Sequence, residues 1–360
     1  MSLSPRFPPR HMQAHEGQDD GRMPRRPAPL PPKLGAVFTR NQALAAGVTP
    51  RRMRAQDLET PFRGVRMARE RESGSDRDES GRPRDRSTLA DTEPLERDRR
   101  VRREVLRKAR AYLQLMPSHA FFAGRTAAVI YGVPIAHGDE LEVAVHAPAR
   151  AARRRGIRGI KVAMGLATVR EHLGLPLTSP ASTWAMLGAE LSVRELVTIG
   201  DAFVRVPRDE RGVLRTGAAL TTTDELRRAA AAGPRAGVSR LRAAVALIRV
   251  GSASPLETEY RLDSAAAGLP EAELDVEIFD ARGQRIGITE FVYRPFRVLV
   301  EIEGDHHRTS RAQWNRDIEK YAAYAAEGWE VVRLTSLHVR GGRASSIVRD
   351  TLLRRGWRSN

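Results

Sequence analysis

Three glutamates in the last third of this 360-residue chain, Glu290, Glu301 and Glu303, are of a type and spacing that could hold a metal ion for hydrolytic chemistry. In VLVEIEGDHH, the two-residue period of a strand puts Glu301 and Glu303 on one face and Val298, Val300 and Ile302 on the other. Glu290 is in phase with Ile286, Ile288 and Val292, so its carboxyl shares an apolar face. An unpaired buried carboxylate costs several kcal/mol or takes up a proton, unless a cation or hydrogen-bond donors satisfy it. Neighbouring strands would bring Glu290 and Glu301 together. A hard divalent cation, Mg²⁺ or Mn²⁺, relieves such repulsion by taking oxygen ligands and activates water toward phosphorus. His307, just past the strand end, is suited to proton transfer or phosphate contact. Asp317 and Lys320 lie one turn apart on the next helical stretch, with Lys320 available for transition-state charge. Blander alternatives stand beside each of these roles. Glu301 and Glu303 also suit a solvated strand edge, Glu290 a pair with Arg294, and His306-His307 a helix cap.

The elements that must position these groups are legible. Ser254-Pro255-Leu256-Glu257 is a capping box with proline at the first helical position. It predicts a helix to about Ala267, stopped by Gly268. Alternation predicts strands over 274–278, 286–292 and 298–302, the first pair joined by a turn at 280–283. A helix from about Arg311 to Glu327 should stack Trp314, Ile318, Tyr321 and Ala325, and Glu330 to Leu334 reads as a strand. The order is αβββαβ, closed by a parallel strand–helix–strand crossover.

That order, with acids on the second and third strands, resembles the restriction-endonuclease-like, PD-(D/E)xK nuclease fold. More narrowly, residues 298–335 are similar to a nuclease-like family related to the very-short-patch-repair (Vsr) endonucleases. The resemblance rests on Glu301, Glu303, Gly304, His307, Trp314, Asp317, Gly328, Trp329, Val331 and Arg333. It implies a Mg²⁺-dependent DNA endonuclease in which Glu290, Glu301 and Glu303 hold the metal. Glu257 would support from the first helix, and His307, Lys320 and Asp317 would complete the catalytic set. Two departures count against activity: Glu290 and Glu303 stand where the family has Asp. Each moves its carboxylate by roughly 1.5 Å, enough to weaken a preorganised site. The alternative is a non-catalytic, antitoxin-like DNA-binding regulator with a degenerate nuclease fold.

The rest of the chain points to a polyanion. Sixty-one Lys and Arg outnumber forty-four Asp and Glu, a net charge of +17, and only four of the cations are Lys. Such an excess favours nucleic acid as partner. The chain contains no Cys, which excludes disulfides, thiolate zinc sites and thiol nucleophiles. No apolar run is long enough for a membrane span, and the first residues lack a secretory h-region, so a soluble cytoplasmic protein is expected.

Residues 1–33 read as a disordered, Pro- and Arg-rich arm, and 68–97 as a charged linker. From Arg69 to Arg86 twelve of eighteen residues are charged, six of each sign, so the linker adds nothing to the excess. In 34–67, Thr39 should cap a helix ended by Gly47, and Thr49-Pro50 should open a second that begins with Arg51, Arg52 and Arg54. Phe62-Arg63-Gly64-Val65 would form a small wing. An ordinary two-helix fragment remains the alternative. The segment resembles the winged helix of AbiEi-type antitoxins at Thr39, Ala43 and Gly47, which implies DNA docking and a toxin–antitoxin-type protein partner. The middle region, 98–250, reads as an antitoxin-like α/β domain. Leu141, Val143 and Val145 suggest a half-exposed strand, and Ser192–Glu195 and Thr222–Glu225 are capping boxes. Arg150, Arg153, Arg154, Arg155 and Arg158 form either a solvated loop or a phosphate-contacting patch. The expected fold is an α+β or α/β multidomain protein: winged helix, mixed middle domain, and a restriction-endonuclease-like core over 251–358.

Overall fold

A computed structural model describes residues 27–69, 94–303 and 311–358. Most of the basic arm and charged linker, His306, His307 and the Trp314 side chain lie outside the described residues. The protein is a mixed α/β molecule with three sheets.

In the first, β1 (Val37–Thr39) runs into α1 (Arg40–Ala45). Thr39 Oγ1 accepts from the Gln42 amide at 3.2 Å, and Gln42 Oε1 from the Thr39 amide at 2.7 Å, so two amides of the first turn are satisfied locally. The second expected helix is a single 3-10 turn, Arg52–Arg54. Ala55 goes extended (φ −65°, ψ 151°) because Asp57 grips the Arg52 guanidinium at 2.9 and 2.7 Å and pulls the chain away. The chain then forms β2 (Leu58–Glu59) and β3 (Val65–Ala68), giving an antiparallel sheet in the order β1-β3-β2. Phe38, Ala43, Val48, Met53 and Leu58 make its core. Phe62, in the β2–β3 turn, joins the next domain's core instead, its ring 5.3 Å from that of Tyr112.

That domain opens with α2 (Pro94–Leu113), which begins inside the stretch expected to be linker. There follow β4 (Ala120–Phe122), α3 (Gly124–Tyr131), β5 (Leu141–His146), β6 (Arg153–Arg154), β7 (Ile157–Val162), β8 (Val169–His172) and β9 (Leu175–Thr178). The six-stranded sheet has the order β6-β7-β5-β4-β9-β8. Strand β5 is central and buried on both faces rather than half exposed. Its one acid, Glu142, is kept inside by Arg158 at 2.9 Å and by the Arg125 amide at 2.7 Å. Four helices follow: α4 (Pro180–Leu187), α5 (Val193–Val204), α6 (Thr223–Ala231) and α7 (Val238–Leu247). The two expected capping boxes open α5 and α6, and Leu196, Ile199 and Phe203 form the buried stripe of α5.

The C-terminal domain runs α8 (Pro255–Ala266), β10 (Glu273–Phe279), β11 (Arg285–Tyr293), β12 (Val298–Glu303), α9 (Arg311–Ala326), β13 (Glu330–Thr335), α10 (Ser336–Arg340) and α11 (Ala344–Arg354). Its sheet is β10-β11-β12-β13, antiparallel except for the parallel β12–β13 pair. Tyr260, Phe291, Val298, Val300 and Val348 pack on one face, and Val292, Leu299 and Tyr324 on the other. The inward stripe of α9 differs from expectation. Ile318 is 53 % exposed and Ala325 is exposed, whereas Tyr324 is buried and Tyr321 and Lys320 turn toward the sheet. A lysine on that stripe breaks the apolar period that sequence reading follows.

No helix among the described residues is long and apolar enough to cross a membrane.

Candidate active site

The β11–β12 ladder is short. It pairs Phe291 with Val300, Val292 with Leu299 and Tyr293 with Val298, and then stops. Just beyond it, the Glu290 carboxyl accepts the Ile302 amide, satisfying a β12 donor that β11 no longer reaches. Burial above all, with the charges of Glu257 and Glu301, pushes Glu290 up to about 8 against the opposing pull of the Ile302 amide and Lys320. At neutral pH this carboxyl holds its proton.

Glu257 approaches from α8, where Ser254 Oγ caps the helix by accepting the Glu257 amide at 3.2 Å. Its side chain reaches back to take the Ala253 amide at 2.6 Å and is 5 % exposed. Burial raises its pKa, Asp275 adds to this, and Arg205 draws it down.

Glu301 and Glu303 are differently placed. Glu301 Oε1 pairs with Lys320 Nζ at 2.5 Å, and its Oε2 accepts from the Tyr321 hydroxyl at 2.7 Å. Burial and the Glu301 charge push the Tyr321 phenol well above its ordinary range, so it stays a donor. Lys320 also lies 5.5 Å from the centre of the Tyr324 ring. Gly287 makes room for it: a methyl there would sit 2.9 Å from Lys320 Cε and 2.6 Å from the Tyr324 hydroxyl oxygen. Glu303 forms an ion pair with Arg333, whose guanidinium stacks 4.9 Å over Tyr321.

The expected acid set is therefore divided. Glu290 sits with Glu257 and within electrostatic reach of Glu301, while Glu301 and Glu303 are each held by a cation. Among the described residues, no three His, Asp or Glu side chains are grouped to hold a metal ion. The donor chemistry of Glu257 and Glu290, hard oxygens that repel each other, still fits a divalent cation. Asp317 is half buried on α9, and His307 lies outside the described residues. Gly287 and Tyr321 escaped the sequence reading as parts of this site. A glycine inside an apolar strand period is the one local signal that could have found the lysine's seat.

The expected DNA-contacting arginines also divide. Arg51 and Arg54 are exposed on the 3-10 turn, and Arg52 is taken up by Asp57 and the Ala28 carbonyl. Arg158 is committed to Glu142 and to Glu190 at 2.6 Å. Arg150 is exposed and does not line the cleft where the others converge. Arg63 and Arg66 from the β2–β3 region, with Arg40, face Lys108 and Arg153, Arg154 and Arg155 across a cleft of about 1130 Å³. Arg154 closes its floor by donating to the Arg63 carbonyl, and Asp139 is the one acid in the described lining. Comparison of the chain with protein-family models, with curated proteins and with solved structures found no match.

Proposed function

We infer that this is a DNA-binding protein whose C-terminal domain hydrolyses DNA phosphodiesters with the help of a divalent cation, in the manner of PD-(D/E)xK nucleases. The observation that carries this reading is the buried Glu257–Glu290 pair beside a lysine-anchored Glu301 on an αβββαβ core. Glu257, Glu290 and Glu301 would hold the cation, which would supply an activated water and charge neutralisation. Lys320, now on Glu301, would turn to the charge developing on phosphate, and Tyr321 would hold Glu301 in place. The basic cleft, with the winged-helix-like front module forming one wall, supports duplex docking through phosphates.

One observation favours the second reading, a non-catalytic antitoxin-like regulator. Glu301 and Glu303 already have cationic partners, and binding needs only the cleft.

Supercoiled plasmid incubated with Mg²⁺ or Mn²⁺ separates the two. Nicking is expected from the wild type and should fall by about 100-fold or more in Glu290→Ala and Glu301→Ala, because misplaced ligands lose a preorganised site. DNA retention without nicking under either metal would leave the regulator. Loss of both would end both readings. Reversing Arg153 and Arg155 to Glu should weaken duplex binding and lower its salt slope by about two, one for each phosphate that no longer meets a guanidinium.

A further inference from the structure

The acid pair opens into a second pocket, of about 640 Å³, between the middle and C-terminal domains. Glu257 and Glu290 line it from one side. The facing wall is contributed by the middle domain: Val133, Pro134 and Ile135 after α3, Ala202 on α5, and Arg205 at the end of that helix. Two of its polar groups have no partner among the described residues. Ser252, in the segment joining the domains, is 3 % exposed and its hydroxyl meets no hydrogen-bonding group there. Arg205 is exposed and makes no hydrogen bond or ion pair with them; its charge acts across the pocket on Glu257.

A pocket of this volume suits one small ligand, not a duplex. It is also separate from the basic cleft, whose lining shares no residue with it. Val101, Val133, Pro134, Ile135 and Ala202 give a base or a sugar an aliphatic surface, while Asp98, Arg99, Arg102 and Arg340 also line the pocket, and the Arg205 guanidinium suits a phosphate. Any DNA strand that brings a phosphate to Glu257 and Glu290 must therefore enter with a nucleotide out of the stack.

We propose that this pocket receives one unpaired nucleotide of the bound DNA, its phosphate clamped by Arg205 of the middle domain opposite Glu257 and Glu290. The proposal rests on the nuclease reading for its geometry and adds a substrate class to it: DNA with an extrahelical nucleotide. It also makes the middle domain part of the site.

The test is binding by the full-length protein in EDTA, so that cutting plays no part. Fluorescence anisotropy compares a fully paired 20-mer duplex with the same duplex carrying a single-nucleotide bulge. The wild type is expected to prefer the bulged duplex by about tenfold, the size of one added phosphate clamp with its buried contacts. Ala202→Trp, which fills the pocket from α5, and Arg205→Ala, a substitution at an exposed residue, should each abolish that preference. Both should leave affinity for the paired duplex, held by the cleft, unchanged. Equal wild-type affinity for the two duplexes would overturn the proposal while leaving DNA binding intact. A preference that survives Arg205→Ala and a folded Ala202→Trp would overturn it as well. Absence of binding to either duplex would overturn both the proposal and the DNA reading beneath it.

Discussion

Glu290→Gln should make the protein more stable at pH 8 than the wild type, and no more stable at pH 4.5. The reason is linkage. The folded-state pKa of Glu290 is raised from 4.5 to about 8, so between those values the folded protein holds a proton that the unfolded chain releases. The stabilisation carried by that proton is fully present below pH 4.5 and is lost as pH rises through about 8. Over this window wild-type stability falls by up to about 1.4 kcal/mol per pH unit on account of this group. Glutamine keeps an oxygen to accept the Ile302 amide and does not titrate. The two stability curves should diverge with pH and differ by on the order of 4 kcal/mol at pH 8. Urea unfolding at several pH values measures this, and parallel curves would refute it. Added Mg²⁺ should then narrow the gap, by stabilising the wild type through binding to the folded state alone.

The second large effect concerns the junction that aims Glu257. Asp201, on α5, is 1 % exposed. Its Oδ1 accepts the Arg249 amide at 2.8 Å; its Oδ2 accepts Thr258 Oγ1 at 2.9 Å and Arg261 Nη2 at 2.6 Å. One carboxylate thus ties the middle domain to α8, one residue from Glu257. Burial raises its pKa, and Arg261 opposes the rise. Asp201→Ala leaves the Arg261 guanidinium and the Arg249 amide without their acceptor in a nearly dry site. Breaking a buried pair in this way costs about 3–5 kcal/mol. Pairing Asp201→Ala with Arg261→Leu removes the stranded charge and should recover a substantial part of the loss. A single-variant cost below about 1 kcal/mol in urea unfolding would show that the pair does not hold the junction.

Much of the fold was legible because it is written in local rules. The caps at Thr39, Ser192, Thr222 and Ser254, the alternation in the three antiparallel strands of the C-terminal domain and the order αβββαβ all follow from neighbours in sequence. So does the placing of Glu301 and Glu303 opposite Val300 and Ile302, since side chains alternate along a strand. Where the reading went astray, a distant residue decided. Thr49-Pro50 has the start of a helix, but Asp57 takes Arg52 and the helix stops after one 3-10 turn. Strand β5 alternates like a half-exposed strand, yet Arg158, Glu190 and a second packed face bury it.

The candidate site divides along the same line. By itself the sequence determined that carboxylates occupy strand positions 290, 301 and 303, that Glu257 begins a helix, that a lysine follows one helix later, and that the chain carries a charge of +17. Only the tertiary structure decided which groups meet: Glu290 with Glu257, Glu301 with Lys320 and Tyr321, Glu303 with Arg333, and Arg63 with Arg153–Arg155 around one cleft. The physical reason is range. Capping and strand period act over a few residues, whereas burial and Coulomb interaction act between groups brought near only by strand register and domain docking.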